Sequence, residues 1–437
     1  MNRLHLRLFA MVGALVMVIA ACGGGDAEPD GDDATTAAPA ATTAAPAATA
    51  TAAPATTTTG AALAPLAIWA DDKFGAIIEQ VAAPFTDETG VPIEVTVIDF
   101  EDMREQIVTQ APAGQGPDIF IGAHDWVGEM VANGIAAPID LGGAAANLTE
   151  PSLNALTVDG TLYALPYAAE NVTLYYNTEL VDTPPATVEE LTAACDALGD
   201  AIENCWGITG GGTLPDAYHN FGFVSAGGGY IFGFSPETGF DVDDIGLDSE
   251  GAISGVEALA TLVADGYIDP LDDDAAKQLF IDGVEPFYMS GPWQINSLNE
   301  SGMPWSAAPL PTLGGNVMAP FIGVRGFYIS QFGSNPAIAQ EFLLNFIATD
   351  ETMLALHEAD PRGPTWIPTL EAIGDDPVFS AFGASGANGQ FMPNVPEMGS
   401  VWGPLGDQLL AVRQGSADAT TAMTQAAEQV QTAIAGG

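Results

Sequence analysis

Basic residues are nearly missing from this chain. Eight Lys and Arg stand against 57 Asp and Glu, a formal net charge of -49. So acidic a surface repels nucleic acid and phosphate-rich ligands, which excludes those partners. Cysteine is almost as scarce, and three residues cannot build the disulfide framework of a small secreted scaffold. None of the four histidines lies at ligand spacing from a cysteine, so no metal site is expected. There is no Gly-x-Ser-x-Gly elbow, and Gly210-Gly211-Gly212 lacks the lysine of a phosphate-binding loop. With this many acids, carboxylate pairs arise by chance, so their spacing cannot identify a hydrolase. Nothing argues for catalysis, and no cofactor is expected.

Long apolar runs are also few. The run Leu8 to Ala21 follows Arg3 and Arg7 and is shorter than the roughly 20 residues needed to cross a bilayer. It reads as the apolar region of a signal peptide over residues 1–21. Closing on Ile19-Ala20-Ala21-Cys22, it looks like a bacterial lipobox, in which Cys22 becomes the lipid-modified first residue of the mature protein. The chain is therefore expected to work outside the cytoplasm, at the cell surface or in a periplasm, anchored to a membrane without crossing it. Residues 22–64 are Ala, Thr, Pro, Gly and Asp with almost nothing to build a core, which reads as a disordered tether. Six basic residues remain beyond Cys22. Cys195 and Cys205 flank a short loop, and in an oxidising compartment a disulfide between them is the first expectation.

The remaining residues exceed what one compact core usually organises, so two lobes are expected. Strand-like and helix-like segments alternate. Ala64 to Ala70 reads as a strand running into a loop at Asp71-Asp72-Lys73, followed by a helix over Gly75 to Phe85. A strand over Ile93 to Ile98, a helix over Asp102 to Gln110, a strand over Pro117 to Gly122 and a helix over Trp126 to Ala132 complete the pattern. This argues for an α/β lobe on a mainly parallel sheet, with ligands at the C-terminal ends of its strands. The loops Asp71 to Phe74 and Ala123 to Trp126, and the region near Glu170, are the candidates there. Further on, Asp248 reads as the cap of a helix over Ser249 to Ala264, and Asp274 as the cap of one over Ala275 to Ile281. Ser334-Asn335-Pro336 and Asp350 read as helix starts, and the chain from about Val412 as one Ala-rich terminal helix. Trp69, Trp126, Tyr218, Trp293, Trp366 and Trp402 mostly sit beside Gly, Pro, Asp or His. Aromatic faces next to fixed carboxylates and amides suit the flat C–H face and hydroxyl rim of a sugar.

Five segments, in order, resemble the maltose/maltodextrin-binding proteins, solute receptors of ABC importers. They are Gly116-Pro-Asp-Ile-Phe-Ile-Gly-Ala-His-Asp125; Tyr163 to Glu170 with Leu174-Tyr-Tyr-Asn177; Ser290-Gly-Pro-Trp293; Pro320 to Val324; and Met392 to Met398 with Trp402. The resemblance implies a two-lobed, periplasmic-binding-protein-like α/β fold of type II, with the ligand cleft between lobes joined by hinge segments. The first lobe would be residues 65–170 and 326–372, the second 175–321 and 379–437. By position, Asp72 and Lys73 match residues that hydrogen-bond sugar hydroxyls, and Asp125 and Glu170 match carboxylate acceptors. Asp216 and Tyr218 match a carboxylate and a stacking ring, and Trp293 and Trp402 the tryptophans on which successive glucose units stack. The chain departs from the pattern at Gly122, where a tryptophan is usual, at Trp126, where an arginine follows the Asp, and at Gly406, which replaces another arginine. These departures remove one ring and two cationic donors and add the ring of Trp126 as a candidate contact. The resemblance therefore implies a monomeric, lipid-anchored receptor for maltodextrin or a related oligosaccharide, which delivers its ligand to ABC permease subunits in the membrane. Trehalose or a cyclodextrin remains open as ligand. A same-fold polyamine receptor, and a secreted glycosidase using Asp125 and Glu170, stay as alternatives.

Overall fold

Along the strand Leu66–Ala70, side chains alternate between two cores, as a strand covered on both faces requires. In the computed structural model, which describes residues 64–213 and 215–436, Leu66, Ile68 and Ala70 enter one apolar cluster and Trp69 the other. Ile119 and Ile121 separate from Phe120 in the same way, and Phe327 and Ile329 from Tyr328. These residues build the first sheet, ordered Gly363–Pro364, Ala164–Glu170, Phe321–Ile329, Ile119–Ala123, Leu66–Ala70, Ile93–Val97, with Gln390–Phe391 beside Phe321 and Ile322. Three of its strands are parallel, as the alternation predicts. Phe321–Ile329, however, runs antiparallel to Ile119–Ala123 and Ala164–Glu170, and parallel only to the short Gln390–Phe391, so the sheet is mixed. The reason is topological: this strand arrives from the other lobe and not through a helical crossover, so it is free to enter in the opposite sense.

The second lobe carries a sheet ordered Trp305–Ala308, Thr173–Asn177, Phe287–Ser290, Trp206–Ile208. Around it lie the helices Val188–Leu198, Ala217–Ala226, Glu250–Ala264, Trp402–Arg413 and Ala419–Gly436. Ala217–Ala226 is buried along almost its whole length. It packs so closely on Glu250–Ala264 that a Cβ at Gly255 would strike the Phe223 carbonyl oxygen, which explains a glycine inside that helix. Cys195 and Cys205 are joined in a disulfide with Cα atoms 5.6 Å apart, tying Val188–Leu198 to the start of the strand Trp206–Ile208.

The chain passes between the sheets after Glu170, which ends a strand of the first sheet just before Thr173 begins one of the second. It returns between Ala308 and Phe321. The strand Phe321–Ile329 belongs to both cores: Phe321 stacks on Phe221 at 3.7 Å in the second, while Phe327 lies in the first.

Several boundaries differ from expectation. Asp71-Asp72-Lys73 is not a loop, because Asp72 and Lys73 open the helix Asp72–Thr89 and Asp71 caps it. The helix Glu250–Ala264 is capped by Ser249 and not Asp248, and Asp273–Ile281 starts after Asp272 and not Asp274. The terminal segment is two helices, Trp402–Arg413 and Ala419–Gly436, separated by a turn at Gly415 with φ +66°. The expected signal peptide, Cys22 and the tether lie outside the described residues. Among the described residues, no helix is long and apolar enough to cross a membrane.

Candidate functional site

The C-terminal ends of the parallel strands place Asp71 after Leu66–Ala70 and His124–Trp126 after Ile119–Ala123. Glu170 pairs with Gly323, and Arg325 with Ala123, at the same edge of the sheet. Asp71 caps its helix through Oδ1, accepting the Lys73 and Phe74 N–H groups at 3.2 Å each. Its Oδ2 accepts from Arg325 Nη1 at 3.2 Å. Asp72, the expected ligand contact, is exposed, and the carboxylate that turns inward is its neighbour. Lys73 directs Nζ to Asp360 Oδ1 at 3.3 Å with 30% of its side chain still exposed.

Two arginines that the sequence pattern did not single out dominate this floor. Arg362 contacts Asp360 through Nε and Glu170 Oε2 through Nη1. Arg325 Nε lies 3.4 Å from the same Glu170 oxygen. Burial pushes the Asp360 carboxyl above the usual carboxylate range, against the pull of Lys73 and Arg325, and lowers the Arg362 guanidinium below its ordinary value. Arg325 also lies over the Phe100 ring at 3.5 Å, and Phe100 stacks on Trp126 at 4.9 Å. Trp126 is thereby enclosed. A Cβ on Gly122 would sit 2.8 Å from Trp126 Cε3, so this ring fills the space above the glycine. Lost and gained tryptophan are one exchange, and Trp126 is a packing residue of this wall and not an open stacking face.

Asp125 is buried, which pushes its carboxyl up to about 6 against the attraction of Arg104. Its Oδ2 accepts from Trp402 Nε1 at 3.1 Å, a contact reaching from the first sheet's edge to a helix of the second lobe. The adjacent His124 accepts from Val324 N–H through Nδ1 at 3.0 Å. Nε2 therefore carries the proton and donates to the Met392 carbonyl, also at 3.0 Å. Burial holds this ring down at about 4, so it is a neutral clamp between two passing segments.

From the second lobe, Asp216 caps the helix Ala217–Ala226 and lies 2.6 Å from His219 Nδ1. Although burial opposes it, the His219 partner holds the Asp216 carboxyl below the usual range. Tyr218 places its ring 5.9 Å from Trp293 and 6.1 Å from Phe321, whose ring lies 5.6 Å from Trp402. These four aromatic residues form a patch facing the charged floor. The Arg362 guanidinium lies 5.4 Å from the Trp293 ring, and Tyr218 Oη donates to the Glu170 carbonyl at 3.5 Å. Trp69 and Trp366, the other tryptophans that stand out in the sequence, are core.

The structure thus gathers Lys73, Asp125, Glu170, Asp216, Tyr218, Trp293 and Trp402 at the junction of the lobes. Arg325, Asp360 and Arg362 were missed, while Asp71 and Phe321 lay in segments that stood out but were not themselves singled out. One signal was available for the arginines: in a chain with six basic residues beyond Cys22, each one is informative. A cavity of about 990 Å³ borders the His124–Met392 clamp and is bounded further by Glu150, Tyr230, Phe234, Phe391 and Asn394; none of the nine expected ligand residues lines it. Among the described residues, no group of three or more His, Cys, Asp or Glu is placed to hold a metal ion.

Comparison with known proteins agrees with this architecture. The chain is 29% identical over 378 residues to the galactooligosaccharide-binding protein of Bacillus subtilis, covering 83% of this chain and 88% of that one. It is 27% identical to the maltodextrin-binding protein MdxE of the same organism, over 77% of this chain and 82% of the relative. Identity is 30% to the maltotriose-binding protein of Pyrococcus abyssi, over 76% and 72% respectively. The profile of bacterial extracellular solute-binding proteins matches residues 80–381. With a main sheet in each lobe, a mixed aromatic and charged junction between them, and that match over most of its length, the chain belongs to the bacterial extracellular solute-binding protein family, whose members bind their ligands without transforming them.

Proposed function

We propose that this chain is the extracytoplasmic receptor of an ABC importer for a neutral oligosaccharide, with a maltodextrin as the favoured ligand. The observation that carries the reading is the facing of two surfaces. Tyr218, Trp293 and Trp402 offer aromatic area from one lobe, backed by the buried Phe321 ring, and Asp125 and Glu170, with Arg362, offer polar groups from the other. A pyranose needs both, a flat apolar partner for its C–H face and fixed acceptors for its hydroxyls. On this reading the lobes, about 65–170 with 326–372 and 175–321 with 379–437, close around the sugar by a hinge motion and present one geometry to the permease. Cys22 would hold the receptor to the membrane through its lipid, with residues 22–64 as the tether. The names of the relatives support an oligosaccharide, and two of them support an α-glucan.

A galacto-oligosaccharide is the second reading, favoured by the Bacillus subtilis relative that matches 83% of this chain. Intrinsic tryptophan fluorescence of the soluble domain, the chain from residue 64 onward, titrated with maltotriose, trehalose, a cyclodextrin and a galactotriose, separates the two. A saturable change with maltotriose is expected. Trp293→Ala should weaken that binding by about 2 kcal/mol, roughly 30-fold, as loss of a central aromatic contact does. Tighter binding of galactotriose would replace the ligand named here. No response to any sugar, by fluorescence or by calorimetry, would remove the receptor reading.

A further inference from the structure

Six charged side chains under the aromatic patch close into a ring of alternating sign. Lys73 pairs with Asp360 at 3.3 Å, Asp360 with Arg362, Arg362 with Glu170, Glu170 with Arg325 at 3.4 Å, and Arg325 with Asp71 at 3.2 Å. Asp71 then returns to the Lys73 backbone by accepting its N–H. Apart from Lys73, no member exposes more than 9% of its side chain. Three carboxylates and three cations sum to zero. In a chain of net charge -49 with six basic residues beyond Cys22, placing three of them here is a large share of a scarce resource.

We infer that this ring is the charge filter of the binding site, and that Arg362 is a specificity-determining residue that makes the site select uncharged ligands. The inference rests on the receptor reading and adds what that reading leaves open. The acidic surface of this protein attracts cations over long range, so a site made of bare carboxylates would take up amines before sugars. The ring prevents this. Each of its carboxylates already has a cation within the low-dielectric floor, and an arriving ammonium would shed its water without finding an uncompensated acceptor. A hydroxyl is treated differently, because it needs only a lone pair. Both arginine contacts on Glu170 fall on Oε2, so Oε1 lies outside the ring and a carboxylate has lone pairs to share. Buried among the same charges, the Tyr167 hydroxyl has no hydrogen-bond partner among the described residues. Of the other two carboxylates at the junction, Asp216 pairs with His219, and Asp125 accepts the neutral indole N–H of Trp402. Both arginines touch two of the three acids, but Arg325 lies over Phe100 of its own lobe, whereas Arg362 stands apart by reaching the Trp293 ring of the other lobe at 5.4 Å. Its charge is therefore felt at the Trp293 face of the opposite lobe, while that of Arg325 acts on Tyr218.

The test compares maltotriose with two derivatives of equal length, one carrying an ammonium and one a carboxylate in place of a single primary hydroxyl, by calorimetry on the soluble domain. The wild type should bind both charged forms at least tenfold more weakly than maltotriose. Arg362→Met leaves the ring one cation short and should move the ratio of amino form to neutral form by at least tenfold toward the amine. Arg362→Lys, which restores the charge but not the fork, should return that ratio to within about threefold of wild type. A wild type that binds the amino form as tightly as maltotriose overturns the inference with no variant needed. So does an Arg362→Met protein, folded by circular dichroism, that weakens all three ligands by one common factor. If the wild type binds no neutral oligosaccharide at all, the receptor reading itself has failed, which is a distinguishable result.

Discussion

Gly122 and Trp126 show at residue scale how a departure from a family pattern is misread one position at a time. In the sequence they are a lost ring and a gained ring. In the structure the second ring lies over the first position, where an added Cβ would meet Trp126 Cε3 at 2.8 Å and Tyr328 Cε2 at 3.0 Å. Gly122→Ala should therefore destabilise the domain by about 1–3 kcal/mol through overpacking, and Trp126→Ala should recover part of that cost in the double variant. Urea unfolding of the two single variants and the pair measures this, and strictly additive losses would show that the two sites do not share space. Asp125 carries the second residue-scale prediction. Its carboxyl is raised by burial to about 6 in the folded protein, above its ordinary 3.8, so folding favours the protonated form. That stability is fully present below about pH 4 and is lost as pH rises toward and past 6. Asp125→Asn keeps an oxygen to accept from Trp402 and removes the charge. Its stability relative to wild type should rise between pH 4 and pH 7 by on the order of 2–3 kcal/mol, read from urea midpoints at both pH values. A difference that does not change with pH would place the wild-type carboxylate in solvent.

At the scale of elements, type was easier to read than termini, and the composition explains why. Apolar periodicity marked the strand Ile119–Ala123 and the helix Glu250–Ala264 because buried faces impose it. Caps were misplaced because aspartate is the usual cap signal, and here aspartate occurs almost everywhere. Asp248 was preferred over Ser249, yet the Ser249 hydroxyl accepts the Ala252 N–H at 3.2 Å. Ser249→Ala should thus cost about 1 kcal/mol and Asp248→Ala less than half of that, in thermal or urea unfolding. Equal losses would mean that the helix starts a residue earlier. The mixed sheet was illegible for another reason. Strand direction in Phe321–Ile329 follows from where the chain last was, in the other lobe, and no local pattern within nine residues encodes it.

For the whole molecule, the net charge was visible at once, but its internal distribution was not, because ion pairs join residues far apart in sequence. Lys73 and Asp360 are 287 positions apart, and Arg362 and Glu170 are 192 apart. The few cations serve the interior: besides the three in the ring, Arg413 is buried and donates to the carbonyls of Thr209, Ile208 and Asp269. The surface is left with mutually repelling carboxylates that have little to pair with. Salt acts on these two populations unequally. Exposed charges are screened once the Debye length falls from about 30 Å at 0.01 M to about 3 Å at 1 M, whereas buried pairs are screened far less. Surface repulsion should therefore be relieved while the ring keeps its strength. The soluble domain should gain stability monotonically over that range of NaCl, with a Tm rise of at least about 3 °C by calorimetry. A fall in Tm would mean that attractive ion pairs dominate the electrostatics, contrary to the distribution seen here. Maltotriose affinity offers a separate check on where the ring lies. Across the same salt series it should change less than threefold, because a neutral ligand over a neutral, buried floor gives the ions little to screen.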